Sequence, residues 1–584
     1  MPLDVDPREL QGAIRLAQQL AQPVVQPGGH LHWRAVSIEQ QRLDDRVFPL
    51  PLPLLLTGEL LLSVSERSRR LQHDLSRGAS GGKEAHVIVV GAGFSGIGAA
   101  IRLRQEGFGD LLVLEKAPQL GGTWRENTYP GCACDVPSSL YSYSFSPNPG
   151  WSRLFAGQRE IHDYLRTTAE QYGVDEALRC DVRVLRAWWD RSAGRWRLET
   201  TDGDYSSEVL VMATGPWHRP RRPEVPGLAE FPGPVFHTAQ WDHTVDLAGR
   251  RVAVVGSGAS AVQVVPAIQE QAAAVHVFQR TAQWILPKPD FPVPRALGWC
   301  LRHLPGAQRV MRSAQFRMQE GFGYVFRHPR LVRPLQAAAR AHLHLAVRDR
   351  RLRQALTPHY TLGCKRLLTS STYYPALAKP HVHLHPTAVS AARGNRLIGA
   401  DGAQAEADVV VLATGFHIGE LPLARRVHGT GGLTLQETWA EGPAAYLGTT
   451  VSGFPNLFLL LGPNILSGST SAITVLEAQL TYLCAALTHR RQGGYTAVDV
   501  KPAVQAAYNT ALQDALRTTV YDAGHCSSYY LSPTGRNTFS WPWSTGRLIR
   551  SLSRFDPAAY TLQGPPLPSP RSAPITPDHT RPGR

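Results

Sequence analysis

The chain has 584 residues, of which 43% are hydrophobic and 18% are charged, and its formal net charge is +15. This length exceeds what one hydrophobic core supports, so two or three domains are expected. The positive charge would suit a nucleic-acid partner, but the sequence carries no zinc finger, RNP-type pattern or heptad-linked basic region. Much of the excess charge lies between residues 291 and 356, which we interpret as a solvated basic helical face.

The cysteines and the apolar segments narrow the cellular setting. None of the seven cysteines stands in C-x-x-C spacing, so neither a disulfide framework nor a structural zinc is expected, and a reducing cytoplasm fits. The first residues lack a basic region followed by an apolar stretch, so no signal peptide is expected. The most apolar segment, residues 48–64, contains three prolines and Glu59 and is shorter than the about 20 residues that a spanning helix needs. A peripheral membrane contact through this segment stays open.

Residues 1–80 precede the first glycine-rich turn as an extension. We predict a helix over residues 7–21, a loop, the apolar segment, and a charged helix that ends in a glycine–serine linker. The linker contains G-x-S-x-G from Gly78 to Gly82, but no strand precedes it, so it does not indicate a hydrolase. The sequence assigns no function to this extension.

The first βαβ unit begins with the apolar run His86–Val90, which leads into the glycine-rich turn GAGFSG. A helix over residues 96–106 and a strand over 111–114 are predicted to follow. Gly91 makes the tight turn, Gly93 lets the backbone approach a pyrophosphate, and Gly96 lets the helix pack on the strand. Glu115 stands where an acidic side chain binds ribose hydroxyls. The unit predicts an FAD-like site with these contacts: Gly91, Gly93, Phe94, Ser95, Gly96, Glu115 and Lys116.

The second unit has the strand Arg251–Val255 followed by GSGASA, in which Ala261 replaces the third glycine. Its next strand, residues 275–278, is followed by Gln279 and Arg280, with no acidic residue. A cation at this position suits the 2′-phosphate of NADP. Two such sites in one chain indicate electron transfer from a nicotinamide to a flavin. The predicted NADPH contacts are Gly256, Ser257, Gly258, Ala259, Ser260, Arg280 and Thr281.

Two further strands, residues 209–212 and 409–412, each run into Ala-Thr-Gly. We interpret both as crossover strands that return the chain to the flavin domain, which adds Thr414 and Gly415 to the cofactor contacts. The predicted fold class is α/β, with two Rossmann-like domains, the NADPH domain inserted in a discontinuous FAD domain, a helical insert and an N-terminal extension. The expected boundaries are 81–220 and 391–555 for the FAD domain, 221–390 for the NADPH domain, 291–356 for the helical insert, and 556–584 for a Pro-rich, disordered tail.

Three segments carry a family resemblance that extends from about residue 86 to residue 560. FPGPVFHTAQWD resembles the F-x-G-x-x-x-H-x-x-x-W-[P/D] signature of type I Baeyer–Villiger monooxygenases, through Phe231, Gly233, His237, Trp241 and Asp242. GGTWRENTYPGCACD resembles a second signature of that family, through Gly122, Trp124, Tyr129, Pro130, Gly131 and Asp135. LTPHYTLGCKRLLTSSTYYPAL resembles its G-C-K-R segment and supplies Lys365 and Arg366.

The resemblance implies an FAD-dependent, NADPH- and oxygen-consuming monooxygenase that converts ketones to esters or lactones through a C4a-peroxyflavin. By the same resemblance, Arg366 is the catalytic cation, Asp135 orients it, and Lys365 joins Arg280 on the 2′-phosphate. His237 and Trp241 would lie in the interdomain connection and couple movement of the cofactor domain to turnover. Gly122, Thr123, Trp124 and Tyr129 complete the cofactor contacts.

Several alternatives stay open. A flavin-containing monooxygenase that oxidises N or S atoms is the second reading, although that group usually carries Tyr or Phe in place of Trp241. His237 fits a structural role in the linker as well as a direct one. Small residues would leave a roomy pocket for a bulky ketone: Ser467, Gly468, Ser469 and Ala472. Tyr529 stands where many members carry Trp. His381, His383 and His385 share a strand face, but no metal is expected because no carboxylate or cysteine follows at useful spacing.

Overall fold

The computed structural model describes residues 83–564 except Glu420, Pro422, His525 and Ser527. The predictions for the N-terminal helix, the apolar segment 48–64 and the glycine–serine linker therefore lie outside the described residues.

The strands, in chain order, are β1 (Glu84–Val90), β2 (Leu111–Leu114), β3 (Leu178–Arg179), β4 (Val184–Asp190), β5 (Arg195–Thr200), β6 (Gly203–Met212), β7 (Val235–His237), β8 (Arg251–Val255), β9 (Ala274–Phe278), β10 (Ile285–Leu286), β11 (Leu368–Thr369), β12 (Val382–His385), β13 (Val389–Arg393), β14 (Arg396–Gly399), β15 (Gln404–Glu406), β16 (Val409–Leu412), β17 (Val427–His428), β18 (Leu457–Leu459), β19 (Ala497–Val500) and β20 (Tyr560–Gln563).

The α-helices, in chain order, are α1 (Phe94–Gln105), α2 (Thr123–Glu126), α3 (Gln158–Gln171), α4 (Ala259–Ile268), α5 (Arg295–His303), α6 (Ala307–Arg327), α7 (Val332–Ala346), α8 (Arg350–Leu356), α9 (Tyr373–Leu377), α10 (Leu435–Thr438), α11 (Ala472–Gln492), α12 (Pro502–Leu516), α13 (Val520–Ala523) and α14 (Thr545–Leu552).

The first sheet has eight strands in the order β17-β4-β5-β6-β1-β2-β3, with β18 also paired to β6. β1 runs parallel to both β2 and β6, and α1 provides the crossover from β1 to β2. The strand and helix predicted around Gly91 are therefore confirmed. All four residues of β2 are buried, as expected for a parallel strand that is covered on both faces.

The second sheet is parallel throughout, in the order β12-β9-β8-β16-β7. It contains β16, which pairs with β8 and β7. The interpretation of residues 409–412 as a strand of the first sheet is therefore wrong, and the boundary expected at residue 390 falls within the segment that builds the second sheet. A short buried aliphatic run fits either parallel sheet, so its composition does not select one. The chain returns to the first sheet with β17 and β18.

The helical insert is confirmed, since α5 to α8 occupy residues 295–356. The disordered tail expected from residue 556 is wrong for its first part, because β20 pairs antiparallel with β19. Tyr560 holds this strand: its side chain is buried, and its hydroxyl lies 2.7 Å from the Tyr482 hydroxyl and 2.9 Å from that of Thr450. Residues 565–584 lie outside the described part of the chain. No helix between residues 83 and 564 is long and apolar enough to cross a membrane.

Candidate active site

A cavity of about 860 Å³, the larger cavity, opens at the carboxyl ends of the second sheet. Residues at or just after the carboxyl ends of β8, β9 and β16 line it, so the parallel strands bring side chains from distant parts of the chain to one place. The predicted site residues in its wall are Thr123, Trp124, Tyr129, Asp135, Gly256, Ser257, Gly258, Ala259, Ser260, Arg280, Thr281, Lys365, Arg366, Thr414 and Gly415.

A second cavity of about 820 Å³, the smaller cavity, follows the first glycine turn. Its wall contains the predicted residues Gly91, Gly93, Phe94, Ser95, Glu115, Lys116, Gly122, Thr123 and Trp124. The two cavities share Thr123, Trp124, Tyr141, Trp217 and Ala472 in their walls. A molecule bound in one cavity therefore lies next to a molecule bound in the other.

The first turn accepts only glycine at two positions. Gly91 has φ +106°, and a Cβ there would lie 2.7 Å from the Ala213 carbonyl oxygen. A Cβ on Gly96 would lie 1.7 Å from the Gly91 carbonyl oxygen, so Gly96 is set by packing and is absent from both cavity walls. Phe94 and Ser95, at the start of α1, line the smaller cavity, and the N-terminus of a helix suits an anionic group.

Glu115 supports the turn from behind. One carboxylate oxygen accepts a hydrogen bond from the Ala92 amide at 2.8 Å, and the other accepts one from the Ala117 amide at 3.0 Å. The side chain is buried yet reaches the wall of the smaller cavity. Its carboxylate oxygens each have a second lone pair, which leaves acceptor capacity for ribose hydroxyls.

The second turn is surrounded by a chain of polar contacts that leads to two cations. The Ser257 hydroxyl donates to the Thr281 carbonyl at 2.8 Å, and the Gln283 amide donates to the same carbonyl at 3.1 Å. The Tyr360 hydroxyl donates to Gln283, and the Lys365 ammonium lies 5.0 Å from the Tyr360 ring centroid. Burial, together with the positive charge of Arg280, lowers the pKa of Lys365. A buried lysine whose pKa is lowered by a neighbouring cation is suited to an anionic ligand, which would stabilise its charged form.

Asp135 and Arg366 form an ion pair in the wall of the larger cavity. Nη2 and Nε of Arg366 donate to the same Asp135 oxygen at 2.7 and 3.1 Å. Burial raises the pKa of Asp135, but the guanidinium more than offsets this effect, so the pKa lies below its ordinary value. The Asp135 charge in turn raises the pKa of Arg366. The pair therefore holds a permanent cation at a fixed orientation, 231 residues away in sequence from its carboxylate.

Lys288 is a neighbour of this pair that the sequence analysis missed. Its ammonium donates to the Cys134 carbonyl at 3.0 Å and lies 4.7 Å from the Phe155 ring centroid. Burial lowers the pKa of Lys288. Trp217 was missed as well, although it lines both cavities and its ring packs edge-on against Phe539. No motif marks either residue, because each becomes significant only through contacts with distant segments.

His237 and Trp241 lie in neither cavity wall. His237 ends β7 and is fully buried, and its Nδ1 accepts a hydrogen bond from the Ala239 amide at 3.1 Å. Burial lowers the pKa of His237 to about 4. Trp241 packs edge-on against Phe236 at 5.0 Å. Both side chains therefore hold the turn that leaves the second sheet.

A disulfide joins Cys364 to Cys526, although the sequence analysis expected no disulfide framework. The two cysteines are 162 residues apart in sequence, so no cysteine motif predicts that they lie close together. The bond links the segment of Lys365 and Arg366 to the segment of Tyr529, which also lines the larger cavity. Of the four small residues that were expected to widen the pocket, Ser467 and Ala472 line the larger cavity, whereas Gly468 and Ser469 do not.

The strand histidines form a group outside both cavities. His276 Nδ1 lies 3.2 Å from His385 Nε2, and the His276 ring stacks on His383. His381 contacts the Gln269 carbonyl instead. Within the described residues, no group of three or more His, Cys, Asp or Glu side chains is arranged to hold a metal ion.

Two dinucleotide turns with adjoining cavities and a fixed internal cation define an oxidoreductase of the two-dinucleotide class. The family model described as "Pyridine nucleotide-disulphide oxidoreductase" matches residues 88–293. A Baeyer–Villiger monooxygenase of Streptomyces coelicolor is 46% identical over 485 residues, which are 83% of this chain and 93% of that protein. One of Pseudomonas aeruginosa is 41% identical over 490 residues, with the same coverage.

Solved structures agree in fold. A steroid monooxygenase bound to NADP has a TM-score of 0.73 and 27% identity, over 82% of this chain and all of the other. A complex of OTEMO with FAD and NADP has a TM-score of 0.74 at 24% identity, over 82% of this chain and 99% of the other. The chain belongs to the Baeyer–Villiger monooxygenase family. The family resemblance and the α/β fold with two Rossmann-like dinucleotide units are thereby confirmed.

Proposed function

We propose that this chain is an FAD-dependent Baeyer–Villiger monooxygenase that consumes NADPH and oxygen and converts a bulky ketone to an ester or lactone. The observation that carries the proposal is the Asp135–Arg366 pair in the wall of the larger cavity, which contains the second dinucleotide turn and adjoins the smaller cavity of the first turn. A ketone and oxygen are its small-molecule partners.

FAD and NADPH are the cofactors, and the residues of the two cavities fit them. The smaller cavity offers the first glycine turn, Glu115 for ribose hydroxyls and the start of α1 for the pyrophosphate. The larger cavity offers the second glycine turn, with Arg280 and Lys365 for the 2′-phosphate. Thr123, Trp124 and Tyr141, which the two cavities share, would contact both cofactors where the cavities adjoin. FAD reduced by NADPH supplies the activation of oxygen.

Arg366 is the catalytic cation in this proposal. A fixed positive charge stabilises negative charge that develops on oxygen, and it does so at low reorganisation cost because Asp135 already orients the guanidinium. Asp135 bonds Nε and Nη2 and leaves Nη1 for the reacting groups. Since the pKa of Asp135 is lowered and that of Arg366 is raised, the pair stays ionised across the neutral range.

The wall of the larger cavity supports a bulky, largely apolar ketone. Leu466 and Phe539 offer apolar surface, while Ser467, Thr470 and Ser528 are small. Such a wall gives space and combines apolar surface with small hydroxyl groups, which suits an apolar substrate that carries one carbonyl. His237 and Trp241, away from both cavities, act by supporting the connection between the sheets during cofactor movement.

The reaction class is tested by incubating the purified flavoprotein with NADPH, isotopically heavy oxygen and a panel of ketones, sulfides and amines. The expected products are esters or lactones that carry one heavy oxygen atom. Products limited to sulfoxides or N-oxides would instead assign the chain to the heteroatom-oxidising class.

The role of Arg366 is tested with Arg366→Ala. Flavin reduction by NADPH should persist, whereas ester formation should fall by at least about a hundredfold, the usual loss when an electrostatic stabiliser is removed. Arg251→Ala is the matched control, because Arg251 is also paired with a carboxylate, Asp408, but lies outside both cavities. Ester yield at the wild-type level in Arg366→Ala would refute the assignment.

A further inference from the structure

The helical insert presents an unusual surface on α5 and α6. Ten large hydrophobic side chains are exposed among the described residues, and eight of them lie between residues 291 and 345. The set is Phe291, Trp299, Leu304, Val310, Met318, Tyr324, Leu331 and Leu345. Exposed apolar side chains concentrated in one region indicate an interaction surface rather than ordinary scatter.

The exposed residues of α6 occupy one side of the helix. Val310, Met318 and Tyr324 recur at helical spacing on this side, and Val310 is 70% exposed. The opposite side is buried through Gln315, Gly323 and Phe326. α5 adds Trp299, which is 55% exposed and stacks on His303. We call the exposed side of these two helices the outer face.

The outer face is also strongly cationic. Residues 291–346 contain nine arginines and a single acidic residue, Glu320. Glu320 accepts a hydrogen bond from the Thr545 amide, and Arg312 pairs with Glu477. The arginines that are exposed, and that have no ion pair within the described part of the chain, are Arg295, Arg302, Arg309, Arg317, Arg330, Arg333 and Arg340. Arg317 lies on the same side of α6 as Val310, seven residues along the helix, and Arg309 lies at the edge of the exposed side, opposite the edge that Met318 occupies.

We infer that the outer face of α5 and α6 is a peripheral contact surface for an anionic lipid bilayer. Aliphatic side chains enter the acyl boundary, Trp and Tyr favour the interface, and arginines bind lipid phosphates. A second copy of this chain fits less well, because a symmetric contact would place like charges against each other. Nucleic acid would leave the Val310 and Met318 side chains without an apolar partner.

The inner side of α6 connects this surface to the catalytic cavity. Phe326 packs against Gly363, three residues before Arg366, and Gly323 lies against Ser469, two residues after Ser467. One helix therefore separates the lipid contact from the segments that line the larger cavity. If the proposed function holds, this placement suits a ketone that partitions into the bilayer.

Co-sedimentation of the FAD-loaded full chain with vesicles tests the inference directly. We expect binding to vesicles of phosphatidylcholine that contain phosphatidylglycerol, weaker binding to pure phosphatidylcholine, and release by salt. Arg309→Glu with Arg317→Glu should lower the partition coefficient by about tenfold or more. Val310→Asp with Met318→Asp should lower it comparably by removing the apolar contact.

The matched control is Arg159→Glu with Arg166→Glu, which reverses two exposed charges on α3 with the same change in net charge. This control should bind vesicles much as the wild type does, and turnover of a water-soluble ketone should be retained in every variant. Equal loss in the control and in the α6 variants would show a net-charge effect only and would overturn the inference. Failure of the wild type to sediment at low salt, or a lipid-free dimer that Met318→Asp dissociates, would overturn it too. A failure of ketone oxidation in the wild type would refute the proposed function without affecting this surface.

Discussion

The two glycine turns have nearly the same backbone but different side chains behind it. Gly91 and Gly256 both have positive φ, +106° and +124°, and the helix caps Gly93 and Gly258 agree within a few degrees in φ and ψ. A Cβ at either turn glycine would meet the carbonyl oxygen of an Ala-Thr-Gly segment, that of Ala213 or Ala413. The turn itself is therefore a common device for a dinucleotide, and it does not select which one.

The difference begins at the third glycine position. At Gly96 a methyl group would lie 1.7 Å from the Gly91 carbonyl oxygen, whereas Ala261 at the corresponding position is accommodated and fully buried. α1 therefore packs more closely on its turn than α4 does on the second turn.

The residue that follows the second strand of each unit differs as well. Glu115 turns inward and accepts from the Ala92 amide of the glycine turn and from the Ala117 amide two residues further on. Its counterpart Gln279 is buried but donates to the Ala355 carbonyl of α8, at 3.0 Å. The first unit uses this position to stabilise its turn, and the second uses it to hold the helical insert. This leaves Arg280 as the polar residue that faces the cofactor cavity.

The largest expected effect follows from exchanging the third position. Gly96→Ala should prevent α1 from packing, with a loss of several kcal/mol of stability and of bound FAD. Ala261→Gly should cost about 1 kcal/mol, the usual helix penalty, and should retain FAD. Flavin absorbance after gel filtration and thermal melting measure both. Full FAD content in Gly96→Ala would contradict the close packing inferred for α1.

Arg280→Ala tests whether the second unit selects a 2′-phosphate. The KM for NADPH should rise by about tenfold to a hundredfold, and the KM for NADH should change little, because a charge-assisted phosphate contact contributes about 1.5–3 kcal/mol. Steady-state kinetics with both nucleotides measure the ratio, and Arg159→Ala on the exposed side of α3 serves as control. Equal increases in KM for NADPH and NADH would contradict the assignment of Arg280 to the 2′-phosphate.

Glu115→Gln tests the first unit at the matching position. Glutamine keeps one acceptor but turns its amide donor toward a backbone amide, so FAD should dissociate about tenfold more readily, in line with the 1–3 kcal/mol that an unsatisfied buried donor costs. Gln279→Ala is the paired control, and it should retain FAD because its contact is with α8. Equal loss of FAD from both variants would contradict the different roles inferred for Glu115 and Gln279. Equilibrium titration with FAD gives the measurement.

The comparison of the two turns also shows which features of the fold and the site can be predicted from the sequence. The strand, turn and helix around Gly91 follow from local constraints, since positive φ and backbone crowding restrict the residue type at each step. The Asp135–Arg366 pair was available only through the family resemblance, because 231 residues separate its partners. Lys288 was missed because nothing local distinguishes it from a surface lysine.

The errors arose where pairing over long distances decides the structure. Residues 409–412 are four aliphatic residues that either sheet would accept, and pairing with β8 and β7 places them in the second sheet. β20 was hidden in a segment rich in Pro, Ser and Arg, because one residue, Tyr560, supplies most of the buried contact. The Cys364–Cys526 bond joins segments that no cysteine spacing connects.

The smallest expected effect concerns the histidines beside the two sheets. Burial lowers the pKa of both His218, which also contacts Lys116, and His237 to about 4. Unfolded histidine binds its proton near pH 6.5, so between pH 6.5 and 4 the unfolded chain holds more protons than the folded chain. The free energy of unfolding of the wild type therefore falls as the pH falls through this interval.

His237→Asn should lack the pH-dependent part of the free energy of unfolding that His237 contributes. The asparagine keeps an acceptor for the Ala239 amide. The variant should melt below the wild type at pH 7, and the gap should narrow by a few degrees toward pH 4.5 because only the wild type loses the contribution of a neutral buried imidazole. His243→Asn, at an exposed position six residues on, is the matched control for the exchange of histidine for asparagine. A constant gap for His237→Asn would mean that burial at the end of β7 does not hold this imidazole neutral, and the structural role given to His237 would then rest on its hydrogen bond alone.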